Sequence, residues 1–353
     1  MNPDLSICVP TFNRLTNLRD CVESVMTQVS GELTGRVELV IVSNACTDGT
    51  DEWARNLVHE NDWIRFCRNP ANLGFDGNTI RCLEAARGRY IALLSDDDHY
   101  EPGTVGLLLE VTAQPKYSVV LLNYYGYIPG QPGRRSFATH EDREFTRGFD
   151  VMNYPSVGHF SGFVYHGGLA HETLAQMRVS NPELAEDRLH LLRERRVGVY
   201  NGLAARMTLS SSLPTRFVGR PMVAARSRTE VTDKCGVKPG IHKVREMCTT
   251  YYQMFLQFHL EGLLPAEDLA FREKLAVGQL PKALLQSIPY FSTTEARTVG
   301  AELASLFPKN RQVRWIWRPL TYLARAKLVR WLFGLSEAPM REIAQFRRRS
   351  RAL

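Results

Sequence analysis

Apolar positions in the first third of the chain fall into two alternating patterns. Short, nearly continuous apolar runs, LSICVP at 5–10, VELVIVS at 37–43, IRFCRN at 64–69, YIALLS at 90–95 and YSVVLLN at 117–123, have the length and β-branched content of strands. Between them, TNLRDCVESVMTQ, TDEWARNLVHEN and DGNTIRCLEAAR space apolar residues three and four apart, as helices do. Strand–helix alternation predicts an α/β fold with a mostly parallel sheet, and runs without polar alternation predict that both faces of it are covered.

Beyond this region the pattern loosens. Residues 128–160 are rich in Gly, Pro, Arg and aromatics and read as a long loop. Order is expected again at SGFVYH, then in a helix from about Pro182 to Arg195, followed by YNGLAARMTLSSS and a Pro- and Gly-punctuated stretch to about Gly240. From Val244 to Phe307 the spacing is helical, with breaks expected at Pro265, Pro281 and Pro289. The expected division is therefore 1–240, with halves 1–125 and 126–240, a helical extension at 241–308 and a tail at 309–353.

Composition adds limits. The 353 residues, 44% of them hydrophobic, suffice for one large domain with an appendage. Seven Cys without a CxxC pair, and an N-terminus without a charged region followed by an apolar one, suggest reduced thiols in the cytoplasm. The apolar runs fall short of the roughly 20 residues that cross a bilayer. Charge is segregated. From Lys309 onward there are 12 Lys and Arg against Glu337 and Glu342, a surplus of ten, so the first 308 residues carry −3 of the net +7. A nucleic-acid-binding body is thereby disfavoured, and an acidic partner for the tail is implied.

In sheets of this kind, ligands bind beyond the carboxyl ends of the strands. Four polar clusters fall there: PTFNR at 10–14, SNACTDGT at 43–50, NPANLGFDGN at 69–78 and SDDD at 95–98. Neither GxGxxG nor GxxxxGK[ST] is present, so no glycine cradle for phosphates is expected. Asp96, Asp97 and Asp98 are consecutive, and neighbouring charges about 4 Å apart at an effective dielectric near 20 repel by about 4 kcal/mol. A divalent cation, Mn²⁺ or Mg²⁺, would neutralise them and hold a diphosphate. Helix capping is the alternative for the aspartates, as a turn and helix start is for NACTDGT, and PTFNR taken alone is uninformative.

Together, LSICVPTFNR, VELVIVSNACTDGT, NLGFDGN and GRYIALLSDDDHYEPGTV resemble, in order and interval, the nucleotide-binding half of family 2 inverting glycosyltransferases with the GT-A fold, over about residues 4–125 and more loosely to about 200. The resemblance implies a sugar-nucleotide donor, a divalent cation and inversion at the anomeric carbon. It places Pro10, Thr11 and Phe12 at the donor base, with Arg14, Ser43, Asn44, Asn72, Asp76, Asn78 and Asp96 as further donor contacts. Asp97 is the implied metal ligand, with Asp96 and Asp98 beside it. The chain departs from the family where an acid is usual and Ser43 stands, and where the acidic motif begins with Ser95.

An inverting reaction also needs a base for the acceptor hydroxyl. The family carries an acid pair in the position of Glu186 and Asp187, with Asp187 the expected base; ordinary solvated helix charges are the alternative. His159, His166 and His171 surround SGFVYHGG, but their spacings of seven and five do not suggest zinc. The tail interleaves Trp315, Trp317 and Trp331 with basic residues, the composition of a helix lying on an anionic membrane surface, or alternatively of a packing or self-association element. The resulting expectation is a cytoplasmic glycosyltransferase, peripheral to the inner face of the cytoplasmic membrane, acting on a saccharide or lipid-linked saccharide acceptor in bacterial surface glycan synthesis. A nucleotidyltransferase and a non-catalytic sugar-nucleotide-binding protein are the alternatives.

Overall fold

The computed structural model describes residues 2–128, 135–136, 141–153, 159–180, 198–226, 245–287, 293–311 and 313. The chain forms two compact units, Met1–Val231 and Thr232–Leu353. In the first unit the strands are β1 (Leu5–Thr11), β2 (Val37–Ser43), β3 (Ile64–Arg68), β4 (Tyr90–Leu93), β5 (His99–Tyr100), β6 (Val119–Tyr127), β7 (Arg135–Ser136), β8 (Arg143–Phe145), β9 (Phe163–His166) and β10 (Thr215–Arg226). Its helices are α1 (Leu15–Met26), α2 (Thr50–Glu60), α3 (Gly74–Ala85), α4 (Thr104–Val111), α5 (Gly167–Ser180) and α6 (Val199–Ser210).

The strands form one mixed sheet in the order β3-β2-β1-β4-β9-β6-β10-β5, with β7 on β6 and β8 on β10. The first four are parallel; β9 runs antiparallel to both β4 and β6, and β6 and β10 are again parallel. Every residue of β1 and β2 is buried, as expected for strands covered on both faces. Leu18, Cys21, Val22 and Val25 of α1 pack with Leu5, Ile7, Leu39 and Ile41 in the main core. Full burial of such aliphatic side chains stabilises by about 1.5–3 kcal/mol each.

The backbone crossing at the amino edge is tight. A Cβ on Gly88 would lie 2.4 Å from the Ser6 nitrogen, so only glycine lets the turn before β4 pass this close to β1. The same edge holds a buried polar network: Ser6 Oγ and the Arg87 amide donate to Glu38 Oε1, and Arg65 pairs with Glu38 Oε2 at 3.0 Å.

Two readings of the chain need correction. The Pro- and Gly-punctuated stretch contains β10, a 12-residue strand. Register shifts on either side of Pro221 place the proline in an irregular part of the ladder, where its missing N–H is tolerated, and Asn123 Nδ2 satisfies the Gly219 carbonyl at 2.7 Å. In the second unit, α7 (Tyr251–Leu260), α8 (Ala266–Ser287) and α9 (Thr293–Leu306) confirm the helical spacing, but α8 runs through Pro281. The apolar stripe Val277, Leu280 and Ala283 continues past that exposed proline into the core with Val299, Leu303 and Phe307. Packing of the stripe outweighs the about 3 kcal/mol that an interior proline costs. Pro265 does precede a helix, and Pro289 lies outside the described residues. Among the described residues no helix is long and apolar enough to cross a membrane. The tail from residue 314 lies outside the description.

Candidate active site at the carboxyl edge of the sheet

Thr11, Ser43 and Arg68 occupy matching register positions at the carboxyl ends of β1, β2 and β3. The loops that follow are tied to each other. Asn13 and Ala45 adopt left-handed conformations, φ 52° and 60°, the second at a cost of about 1–2 kcal/mol for a residue with a Cβ. Asn13 Oδ1 accepts from the Thr47 amide at 2.8 Å, and the Asn44 amide donates to the Thr11 carbonyl. Asp48 caps two helices at once, accepting from the Leu15 amide at the start of α1 and from the Thr50 amide at the start of α2. Burial opposes its charge, but the Thr50 hydroxyl, donating at 2.6 Å, and then the backbone amides prevail and hold its carboxyl below the usual range. The turn-and-helix-start alternative for NACTDGT is therefore part of what the segment does.

The asparagines form an internal lattice. Asn44 Oδ1 accepts from Asn69 Nδ2 and the Leu73 amide, and Asn44 Nδ2 donates to Asn72 Oδ1 at 2.7 Å. Asn78 is buried and donates to the Thr11 and Val42 carbonyls at 3.4 and 3.1 Å. Asp76 Oδ1 accepts from the Val199 amide at 2.9 Å and so caps α6; burial raises its pKa against that hydrogen bond. These five residues join the strand ends to α3 and α6. Ser43 Oγ donates to Asp51, which also pairs with Arg68. Position 43 lacks an acid, yet the carboxylate of Asp51, from the first turn of α2, reaches it. An acid eight residues on is a weak signal, because first-turn acids are common in any helix.

The three aspartates are divided between two environments. Thr11 Oγ1 donates to Asp96 Oδ2 at 2.8 Å, and Ser95 Oγ donates to Asp97 Oδ1 at 2.6 Å. Arg14 Nη1 lies 2.9 Å from Asp96 Oδ1 and 3.2 Å from Asp97 Oδ2, so one guanidinium bridges two carboxylates. Burial raises the pKa of Asp96, the Arg14 charge and the Thr11 hydroxyl opposing. Burial first, and then Asp96, Asp98 and Asp97, push the nearby Cys21 thiol well above its ordinary value, a second sign of local negative charge. Asp98 is engaged elsewhere: His159 Nε2 lies 2.7 Å and Ser161 Oγ 2.5 Å from its Oδ2, and the Arg226 amide donates to its Oδ1.

Pro10 and Thr11 are buried, while Phe12 is 42% exposed and available to a ligand. Phe75, which opens α3 and was not singled out from sequence, is 54% exposed and packs edge-on against Phe160 and Tyr200. The histidines do not converge: His159 serves Asp98, His166 packs edge-on against Tyr90, and His171 bonds the Leu83 carbonyl. Among the described residues no group of three or more His, Cys, Asp or Glu could hold a metal ion. Glu186 and Asp187 lie outside the described residues.

Residues 6–166 match the family model described as glycosyl transferase family 2. Among curated proteins, the abequosyltransferase RfbV of Salmonella typhimurium is 33% identical over 108 residues, which is 30% of this chain and 31% of the relative. The GalNAc(5)-diNAcBac-PP-undecaprenol beta-1,3-glucosyltransferase of Campylobacter jejuni is 30% identical over 109 residues, 31% of this chain and 34% of the relative. The matched segment thus spans about a third of these relatives' length. Among solved structures, S. aureus TarS 1–349 in complex with UDP-GlcNAc superimposes with a TM-score of 0.58 at 14% identity, over 92% of this chain and 88% of that one. The mixed sheet flanked by helices is shared with that structure and is the GT-A arrangement.

Proposed function

We propose that this chain, whose residues 6–166 match the glycosyl transferase family 2 model, moves a sugar from a nucleotide-diphosphate sugar to a saccharide acceptor, with inversion at the anomeric carbon. The observation that carries this reading is the Asp96–Arg14–Asp97 cluster beside the exposed Phe12 ring at the strand ends. In this reading Phe12 stacks on the donor base, and the asparagine lattice with Asp48 holds the loops in place around it. Asp187, with Glu186 beside it, takes the proton of the acceptor hydroxyl. The acceptor is lipid-linked, and the basic, Trp-bearing tail from Lys309 attaches the enzyme to an anionic membrane surface.

A divalent cation fits the cluster through Asp96 and Asp97, because both carboxylates already turn an oxygen to one shared positive group, Arg14. One or two carboxylates, completed by phosphate oxygens and water, are a usual set for Mg²⁺ or Mn²⁺. Asp98 braces this pair from behind rather than joining it, its oxygens being bonded to His159, Ser161 and the Arg226 amide. When bound, the cation would stabilise the charge of the departing diphosphate.

The test is sugar release from UDP- and GDP-sugars by the full chain, with and without Mn²⁺, in the presence of EDTA, and with saccharide acceptors added. Metal-dependent turnover stimulated by an acceptor is expected. Turnover unaffected by EDTA would remove the cation. Release of pyrophosphate from a nucleoside triphosphate and a sugar 1-phosphate, without sugar release from the UDP- and GDP-sugars, would indicate a nucleotidyltransferase, and binding without turnover a sugar-nucleotide-binding protein.

A further inference from the structure

We propose that Arg14 is a resident counter-ion of the Asp96–Asp97 pair, and that the divalent cation and Arg14 trade places on the same two carboxylate oxygens. The inference rests on the reading of that pair as the cation-holding group. Thr11 and Ser95 donate to one oxygen of each carboxylate, Asp96 Oδ2 and Asp97 Oδ1. Arg14 lies against the other oxygen of each, Asp96 Oδ1 and Asp97 Oδ2. A cation drawn to both carboxylates therefore meets a guanidinium in place, and cation and arginine compete.

Arg14 is suited to leave. It sits at the N-cap position of α1, at the end of a loop, and its side chain is 38% exposed, so it can turn without disturbing the core. Asp96 and Asp97 are only 5% and 16% exposed, so they do not lose Arg14 to water, but an incoming cation can take its place without stranding their charge. It is also suited to stay nearby. A divalent cation and a diphosphate diester cancel each other's charge. The occupied site then keeps the net charge of the empty one only if Arg14 remains within it, now against phosphate oxygens. A guanidinium serves phosphate as well as carboxylate, since its donors form a planar fork that matches either.

Linkage gives the consequence. Without a diphosphate, Arg14 opposes the cation; with one, Arg14 has another partner and the cation enters more easily. Metal and nucleotide should therefore bind cooperatively, each raising the other's affinity by the same factor.

The experiment is a Mn²⁺ titration of the full chain, following the spectrum of free Mn²⁺ by electron paramagnetic resonance, alone and with UDP or GDP. For the wild type, nucleoside diphosphate should tighten Mn²⁺ binding roughly tenfold. Arg14→Gln should bind Mn²⁺ alone roughly tenfold tighter than the wild type and lose most of the coupling. Arg14→Lys, which keeps the charge, should restore weak binding of Mn²⁺ alone. Should Arg14→Gln fail to fold, Arg14→Met, which keeps the aliphatic stem without the charge, replaces it with the same expectation. An uncharged variant that binds Mn²⁺ alone no more tightly than the wild type overturns the exchange. Asp97→Asn is the control: if it binds Mn²⁺ as well as the wild type does, the cation site itself lies elsewhere, a separate failure from that of Arg14.

Discussion

The two edges of the sheet use the same materials to different ends. At the amino edge, Glu38 accepts from Ser6 and from the Arg87 amide, and it pairs with Arg65, which also donates to the Ala85 carbonyl. At the carboxyl edge, Asp96 and Asp97 share Arg14, with one hydroxyl each from Thr11 and Ser95. Glu38 has Arg65 beside it, whereas two aspartates turn an oxygen each to the one Arg14 guanidinium. A buried carboxylate beside arginine is therefore no mark of function by itself. What distinguishes the two edges is that two carboxylates converge on one point at the carboxyl edge, the arrangement a divalent cation uses.

Exchanging charge at each edge separates the roles. Asp97→Asn is expected to lower sugar transfer by about 10²-fold or more, the scale of losing a group that stabilises transition-state charge, with little change in melting temperature. Steady-state turnover and thermal melts on the same preparation check this. Near-normal turnover would reduce the carboxyl edge to another structural network. Glu38→Ala is expected to do the reverse. It strands the Arg65 guanidinium, the Ser6 hydroxyl and the Arg87 amide, at a cost of about 3 kcal/mol, while the folded fraction keeps its turnover per molecule. Denaturant unfolding measures the first and active-site-normalised kinetics the second. A loss of turnover out of proportion to folding would make the amino edge more than a brace.

How much of this could be read from the chain depends on how local the cause is. Strands β1, β2 and β4 were legible because burial on both faces makes them nearly continuous apolar runs, whereas the edge strand β3, buried only at Ile64, was legible from its place in the strand–helix alternation. Strand β10 was not, because Gly219 and Pro221 carry loop signals and only its long-range pairing with β6 reveals it. The convergence of Thr11 and Asp96, 85 residues apart, followed from the rule that strand ends gather ligands. The bonding of Asp98 to His159, Ser161 and the Arg226 amide did not, since those partners lie 61, 63 and 128 residues away. The asparagines were ambiguous for another reason. Asn in a loop serves backbone or ligand equally well, and only the positions of Asn69, Leu73 and Val42 show which side-chain and backbone groups Asn44 and Asn78 bond here.

A smaller effect sharpens the comparison through pH. Burial holds the Asp96 carboxyl above its ordinary value of 3.8, with Arg14 and Thr11 opposing. The native state thus holds this proton more tightly than the unfolded chain does. Its contribution to stability is fully present below the unfolded pKa and is lost as pH rises through the native one. Asp96→Asn should flatten that part of the stability profile, giving a variant that gains on the wild type as pH rises from 4 toward neutrality. Melting temperatures across this range decide it. A variant that falls further behind with rising pH would mean that Arg14 more than offsets the burial of Asp96.

The smallest expected effect concerns Asp76, which lies at the carboxyl edge yet behaves like the groups of the amino edge. Its carboxylate caps α6 through the Val199 amide, and burial raises its pKa against that hydrogen bond. Asp76→Asn keeps an oxygen to accept from Val199 and removes the buried charge. The sign follows from the raised pKa: the variant should melt higher than the wild type at pH 8, and the gain should shrink as the solution is acidified and native Asp76 takes up its proton. Asp76→Ala, which has no acceptor, should instead lose about 1 kcal/mol, the usual cost of an absent cap. Nucleotide affinity measured on the same two proteins tells whether the cap is its whole role. If Asp76→Asn melts higher and binds UDP or GDP as the wild type does, Asp76 positions α6 and the donor is held by others. If it melts higher but binds the nucleotide several-fold more weakly, Asp76 touches the donor as well, and its buried charge is retained for binding at the expense of stability.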